Sequence, residues 1–213
     1  MTTLLKPPAV PGDAQVGVVS LASTPQPQRV ERGMAALRAL GYEPQAGKHI
    51  LVRGPLYFAG TAAMRLNDLH HAFADDRLRA IFSTRGGYGS NYLLEGLDLD
   101  LIAEGAKPLI GSSDLTALQL WLLDQLQLPA FYGPMLSADF AREDGIQSGP
   151  VCALTWVEPC WSFDVHRNRE TKQLDLVQRS RKCLFVYQYW QHPELGWMNA
   201  RIQTWFRFSI QIC

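Results

Sequence analysis

The sequence lacks an excess of charge of either sign, because its 20 Lys and Arg residues balance its 20 Asp and Glu residues. A neutral chain has no general attraction to nucleic acid or to anionic membranes, so neither is expected as a partner. No apolar run approaches the roughly 18 residues of a membrane span. The first residues also lack the charged and apolar regions of a secretory signal. These absences predict a cytoplasmic protein.

Cysteine is absent from the first 150 residues, and glycine is almost absent from the rest. All four Cys and five of six Trp residues follow position 150, whereas sixteen of seventeen Gly residues precede it. The cysteines follow no Cys/His metal spacing, so we expect neither a metal site nor a disulfide framework. The first part has 12 basic and 15 acidic residues, the second 8 and 5. This break predicts a domain at residues 1–147 and a divergent tail at 148–213.

Apolar strand patterns alternate with helical patterns through the first part. Strands are predicted at residues 15–22, 42–46 and 79–83, at the Leu109-Ile110 pair, and within 128–135 together with an exit loop; helices are predicted between them, for example over 30–40 and 62–73. Such alternation predicts an α/β fold with a doubly wound, mostly parallel sheet. Ligands of such sheets bind at the carboxyl ends of the strands.

The segment 107–118 predicts a buried strand, a sharp turn and a helix start. Ser112, Ser113 and Asp114 follow the strand directly. A hydroxyl at such a turn lies beside the free N–H groups of the helix, which favour the oxyanion of acyl transfer. Ser113 is therefore a candidate nucleophile. The commoner use of Ser and Asp before a helix is to cap it, and capping remains the alternative.

A glycine cluster follows the strand at 79–83, in the run Arg85-Gly86-Gly87-Tyr88-Gly89. It has neither the Lys-Ser/Thr of a phosphate loop nor the G-x-G-x-x-G spacing, which argues against a nucleotide-binding domain. Paired glycines let the backbone approach a ligand, so their N–H groups could polarise a carbonyl, although a tight turn would use them equally well. Because both clusters follow parallel strands, we predict that Ser113 and Gly86-Gly87 share one cleft.

Three segments carry a family resemblance. They are Ala59-Gly60-Thr61 with Arg65, Asp68-Leu69 and Ala72-Phe73; Ala80-Ile81-Phe82 with Arg85-Gly86-Gly87-Tyr88-Gly89; and Ile110-Gly111-Ser112-Ser113-Asp114-Leu115-Thr116-Ala117-Leu118 with Gly133-Pro134-Met135. In this order and spacing they resemble the LD-carboxypeptidase family of serine peptidases, which includes the microcin-immunity hydrolases. The resemblance runs from about residue 11 to about residue 145.

The resemblance implies that Ser113 is the nucleophile and that Ser112 occupies a variable position. It implies an oxyanion hole formed by backbone N–H groups at Asp114, Gly86 and Gly87. It further implies a small peptide substrate, the murein tetrapeptide, which loses its terminal D-amino acid at an L,D-peptide bond during cytoplasmic cell-wall recycling. No metal or organic cofactor is implied.

The family's activating His, and the Glu that orients it, belong to a C-terminal domain that we do not find from about residue 148 onward. The tail offers His166 and His192, with the acids Glu158, Asp164, Glu170, Asp175 and Glu194, but none stands in the family's context. Two hypotheses follow: an active hydrolase whose tail supplies a base, or a catalytically silent remnant with a replaced or frame-shifted tail, which either binds peptide weakly or has no function. The composition break favours the second, and we predict that neither histidine approaches Ser113. The sequence leaves open whether the chain forms a homodimer.

Overall fold

The structure, a computed structural model, describes residues 4–142 together with three short strands at 163–167, 174–178 and 210–211. The strands are β1 (Gln15–Val19), β2 (Glu43–Ala46), β3 (Leu78–Ser83), β4 (Leu109–Gly111), β5 (Phe131–Tyr132), β6 (Phe163–Arg167), β7 (Leu174–Gln178) and β8 (Ile210–Gln211). The α-helices are α1 (Pro27–Ala39), α2 (Ala62–Ala74), α3 (Leu99–Glu104) and α4 (Thr116–Leu126). Short 3-10 turns lie at Ser90–Gly96 and Ser113–Leu115, and a π-helical turn at Leu136–Phe140.

Six strands form one sheet in the order β2-β1-β3-β4-β5-β8, and every neighbouring pair in it is parallel. Strands β6 and β7 form a separate antiparallel pair. The alternation of strands and helices in the sequence therefore predicts the fold class correctly: an α/β fold with a mostly parallel, doubly wound sheet. None of the helices within the described residues is long and apolar enough to cross a membrane.

Alternate strand residues supply two cores, one on each face of the sheet. Val16 and Val18 pack on the face that α1 covers, whereas Val19 packs on the opposite face. In β3, Ile81 and Phe82 divide between the two faces in the same way. Such nearly continuous apolar strands are typical of a sheet buried on both sides, because successive side chains point to opposite faces.

The predicted helix end at residue 40 and helix start at residue 62 agree with the structure to within one residue, whereas α1 begins at Pro27, before the predicted residue 30. The hydroxyl of Thr61 accepts a hydrogen bond from the backbone N–H of Met64 (3.2 Å) and caps α2. Gly41 follows the end of α1 at φ +97°, and its N–H donates to the carbonyl of Arg38 (2.9 Å). The strand predicted over 15–22 is shorter than expected, because residues after Val19 leave the ladder; the Ser20 hydroxyl instead donates to the carbonyl of Ile50.

The direction in which strands are added reverses beside β1, since β2 lies on one side of it and β3 on the other. At such a reversal the loops that follow adjacent strands open away from each other and leave a crevice at the carboxyl edge. The loops after β1, β3 and β4 all lie at this edge. They bring together residues 20–24, 84–89 and 112–114, which are far apart in the sequence.

Candidate active site

Ser113 lies on a sharp turn between β4 and α4. It is exposed and has φ +59°, a left-handed conformation that residues other than glycine rarely adopt. Its carbonyl accepts a hydrogen bond from the Thr116 hydroxyl (2.7 Å). Backbone strain of this kind costs on the order of 1–3 kcal/mol and concentrates at functional sites. The predicted strand-to-helix turn at Ser113 is therefore confirmed.

The capping alternative does not describe this turn. Ser112 makes no capping hydrogen bond with its side chain at the 3-10 turn, and no side chain of a described residue caps the start of α4. The carboxylate of Asp114 accepts a hydrogen bond from the backbone N–H of Ser90 (2.8 Å), while the Asp114 carbonyl accepts one from the Ser90 hydroxyl (2.6 Å). The Asp114 side chain thus fastens the turn to the segment that follows the glycine cluster.

The Gly86-Gly87 loop packs closely against the Ser113 turn. A Cβ on Gly86 would lie 3.1 Å from the Cβ of Ser113 and 3.4 Å from the backbone nitrogen of Asp114. Gly87 has φ +113°, and a Cβ there would overlap the Ser23 hydroxyl. Within the described residues, the N–H groups of Gly86 and Gly87 donate to no protein acceptor. The positive φ of Gly87 and its contact with Ser23 require a glycine there, whereas at Gly86 an added Cβ would press against Ser113.

A cleft of about 410 Å³ opens at this junction. It is lined by Gln26, Arg29, Arg85, Gly86, Gly87, Ser113, Met135, Ser137 and Ala138. The predicted sharing of one cleft by Ser113 and the Gly86-Gly87 loop is therefore observed. The lining contributed by the described part of the chain includes two arginines but no histidine and no carboxylate.

Most of the tail residues that could act as base or orienting acid lie outside the residues that the structure describes. His192, Glu158, Glu170 and Glu194 fall outside the described residues altogether. The backbones of Asp164 and His166 belong to β6, and that of Asp175 to β7, where the antiparallel register places His166 opposite Asp175. The expectation that neither histidine approaches Ser113 stays a prediction.

Arg65 connects two loops beside the site, a role that the sequence did not predict. Its buried guanidinium donates to the carbonyls of Leu21 (3.0 Å) and Gly89 (2.8 Å), which belong to the loops after β1 and β3. It also lies 5.2 Å from the centre of the Phe58 ring. Burial lowers the pKa of Arg65, and the nearby carboxylate of Asp114 opposes that shift. The sequence gave one indication of this buried role: Arg65 is a charged residue on the apolar face of α2, one turn before Leu69.

We expect Arg65→Met to destabilise the protein by roughly 2–4 kcal/mol, because two buried carbonyls lose their donor. The measurement is the free energy of unfolding in urea. Arg38→Met is the matched control, since Arg38 is exposed on α1 and its replacement leaves no buried group unpaired. Equal stability of the Arg65 and Arg38 variants would contradict the supporting role.

Arg29, in α1, and Ser137, in the π-helical turn, form one wall of the cleft, and the sequence predicted neither. The N–H and the hydroxyl of Ser137 both donate to the carbonyl of Thr84 (2.7 and 2.8 Å), at the end of β3. The guanidinium of Arg29 donates through Nε to the Ser137 carbonyl (2.6 Å) and through Nη2 to the Ala138 carbonyl (3.0 Å). The π-helical turn is thereby fixed against both the sheet and α1.

Comparison with known proteins identifies relatives of this chain. A model of the LD-carboxypeptidase N-terminal domain matches residues 16–133, more than half of the chain. A probable murein peptide carboxypeptidase of Bacillus subtilis (strain 168) is 36% identical over 139 residues, covering 65% of this chain and 43% of that protein. The microcin C7 self-immunity protein MccF of Escherichia coli is 34% identical over 205 residues, covering 93% of this chain and 54% of that protein.

A solved structure of MccF in complex with glutamyl sulfamoyl guanosine has a TM-score of 0.69 at 25% identity, covering 85% of this chain and 57% of that one. This chain therefore spans about half of the length of the proteins it matches. The sequence match to MccF is longer than the resemblance over residues 11–145. Since it covers 93% of the chain, it includes part of the segment after residue 148.

Proposed function

The chain belongs to the LD-carboxypeptidase family, and on this premise we propose that its Ser113 cleft binds a murein tetrapeptide and removes the terminal D-amino acid. The observation that carries the proposal is the exposed Ser113 hydroxyl on a left-handed turn, packed against Gly86 in a cleft at the carboxyl edge of the sheet. We assign this reaction to the cytoplasm and to cell-wall recycling as part of the same proposal. It requires no metal or organic cofactor.

In the proposed reaction Ser113 Oγ attacks the carbonyl carbon of the L,D-peptide bond. A general base takes the hydroxyl proton, and the carbonyl oxygen becomes an oxyanion held by the backbone N–H groups of Asp114, Gly86 and Gly87. The tetrahedral intermediate then expels the amine of the terminal D-amino acid, which takes the proton from the base. A water molecule hydrolyses the remaining ester by the same route and restores the Ser113 hydroxyl.

The general base is the one component of this reaction without a candidate in the described cleft lining, which holds no histidine. This observation favours a second candidate function: the chain binds the peptide without turning it over. Both candidates require the same cleft, and they differ only in whether residues outside the described range bring an imidazole to Ser113. Binding is therefore the first property to measure.

We expect Gly86→Ala to weaken tetrapeptide binding by about tenfold or more, because the added methyl enters the space between the loop and Ser113. Isothermal titration calorimetry measures the dissociation constant. Gly12→Ala is the matched control, since a Cβ at Gly12 meets nothing within 4 Å. A wild-type chain without measurable affinity for the tetrapeptide, or an unaffected Gly86 variant, would argue against binding in this cleft.

A further inference from the structure

Among the described residues, the Ser113 cleft is lined by two cationic side chains and by no anionic one. Arg29 and Arg85 both line it, and no Asp or Glu belongs to the lining contributed by the described residues. The remaining lining residues are neutral. In a partly closed cleft, unpaired cations attract an anionic group of the ligand more strongly than they would in open water.

Arg85 is half-buried, and its guanidinium has no hydrogen bond or ion pair with a described residue. It immediately precedes Gly86, whose added Cβ would lie 3.1 Å from the Cβ of Ser113. Because consecutive Cα atoms are about 3.8 Å apart, the Cα of Arg85 lies within about 9 Å of the Ser113 Cβ. An arginine side chain at this position is therefore long enough to reach a group bound one residue away from the atom that Ser113 would attack.

Arg29 and the start of α1 reinforce the positive potential on the opposite wall. Two N–H groups of Arg29 already donate hydrogen bonds to the carbonyls of Ser137 and Ala138, which fixes its guanidinium in place. Gln26, which precedes the helix, makes no side-chain cap, and the first turn of α1 contains no acidic residue. No acidic residue of the first turn compensates the helix dipole at this end, which therefore favours negative charge in the cleft.

We propose that Arg85 binds the terminal carboxylate of the peptide, with Arg29 supplying a second, fixed cation, and that this contact makes the site an exopeptidase site. The inference rests on the proposed function, because it identifies which end of the peptide occupies the cleft. The terminal carboxylate lies one residue beyond the bond that is cut, about 4 Å along the chain. A bidentate Arg–carboxylate pair at that distance holds the bond over Ser113 and rejects peptides that continue further.

The test compares three ligands by calorimetry, all in a Ser113→Ala background so that no ligand is consumed. They are a tetrapeptide ending in diaminopimelate-D-Ala, the same peptide with a C-terminal amide, and the tetrapeptide with L-Lys in place of diaminopimelate. We expect the free acids to bind about 10- to 100-fold more tightly than the amide, as a charge-assisted pair implies. Arg85→Gln should remove this preference and leave affinity for the amide unchanged.

Two further variants separate a specific contact from general charge. Arg85→Lys should retain only part of the preference, because an ammonium lacks the planar fork of donors. Arg38→Gln, which removes an exposed charge from α1, should retain all of it. Equal binding of acid and amide by the parent chain would overturn the inference and leave the proposed function standing. Tighter binding of the diaminopimelate peptide than of the L-Lys peptide, with no effect of the C-terminal amide, would also overturn it. Failure of every peptide to bind would overturn both.

Discussion

If the second candidate function holds and the chain binds the peptide without turning it over, the purified chain will release no D-alanine from a murein tetrapeptide above the background of the buffer. A serine hydroxyl is a weak nucleophile near neutral pH unless a base within about 2.6–3.2 Å takes its proton. No histidine belongs to the described lining of the Ser113 cleft. Loss of the base alone costs on the order of 10⁴-fold or more in such sites. The rate of D-alanine release, followed by an enzymatic coupled assay, measures the effect.

The decisive controls for this prediction lie in the tail. If the chain does release D-alanine, His166→Ala and His192→Ala test whether either imidazole acts as the base. Release that disappears in Ser113→Ala and in one of these histidine variants would show a complete site and would contradict the prediction. Release that survives Ser113→Ala would instead point to a different enzyme in the preparation.

The fold could be predicted from local pattern because its parallel strands are buried on both faces. Runs such as residues 15–19 and 78–83 are nearly continuous in apolar character, and the helices between them show one apolar stripe. Strand ends were less predictable. The run at 20–22 remains apolar or small after β1 ends, because its side chains pack under the loop at the carboxyl edge rather than within the ladder.

The position of Ser113 and of the glycine loop was predictable for a topological reason: both directly follow strands of one parallel sheet. The roles of Arg29 and Arg65 were not predictable, since their partners are backbone carbonyls distant in the sequence. The Arg29 hydrogen bond to Ser137 spans 108 residues, and the Arg65 bond to Leu21 spans 44. Every residue has a backbone carbonyl, so the sequence does not show which carbonyl an arginine will bind.

The division at residue 148 is supported by composition alone, and its boundaries stay a prediction. The match to MccF includes part of the sequence after that point, whereas the matched family domain ends at residue 133. Strand β8 adds to the main sheet beside β5, and β6 pairs with β7. A tail that is divergent in composition therefore still supplies β structure to this fold.

Ser113→Ala is expected to abolish covalent reaction at the site, by a factor on the order of 10⁴ if the chain turns over peptide. The prediction can also be tested without turnover. A phosphonofluoridate probe at alkaline pH, where hydroxide can take the serine proton, should phosphonylate the intact chain once: the serine oxygen bonds to phosphorus, fluoride leaves, and the chain gains the mass of the probe less HF. The exposed Ser113 hydroxyl and the adjacent N–H groups, which would hold the phosphoryl oxygen, favour this serine over the others.

Ser112→Ala is the matched control, because Ser112 is the neighbouring hydroxyl on the same turn. It should label at the rate of the parent chain, whereas Ser113→Ala should not label. The two residues differ in backbone rather than in chemistry: Ser112 is extended (φ −146°), while the left-handed Ser113 is exposed and lines the cleft. Label found on Ser112, or spread evenly over exposed serines, would mean that the strained turn and the glycine loop confer no reactivity. A single label on Ser113 would assign the nucleophile to this turn whatever group supplies the base.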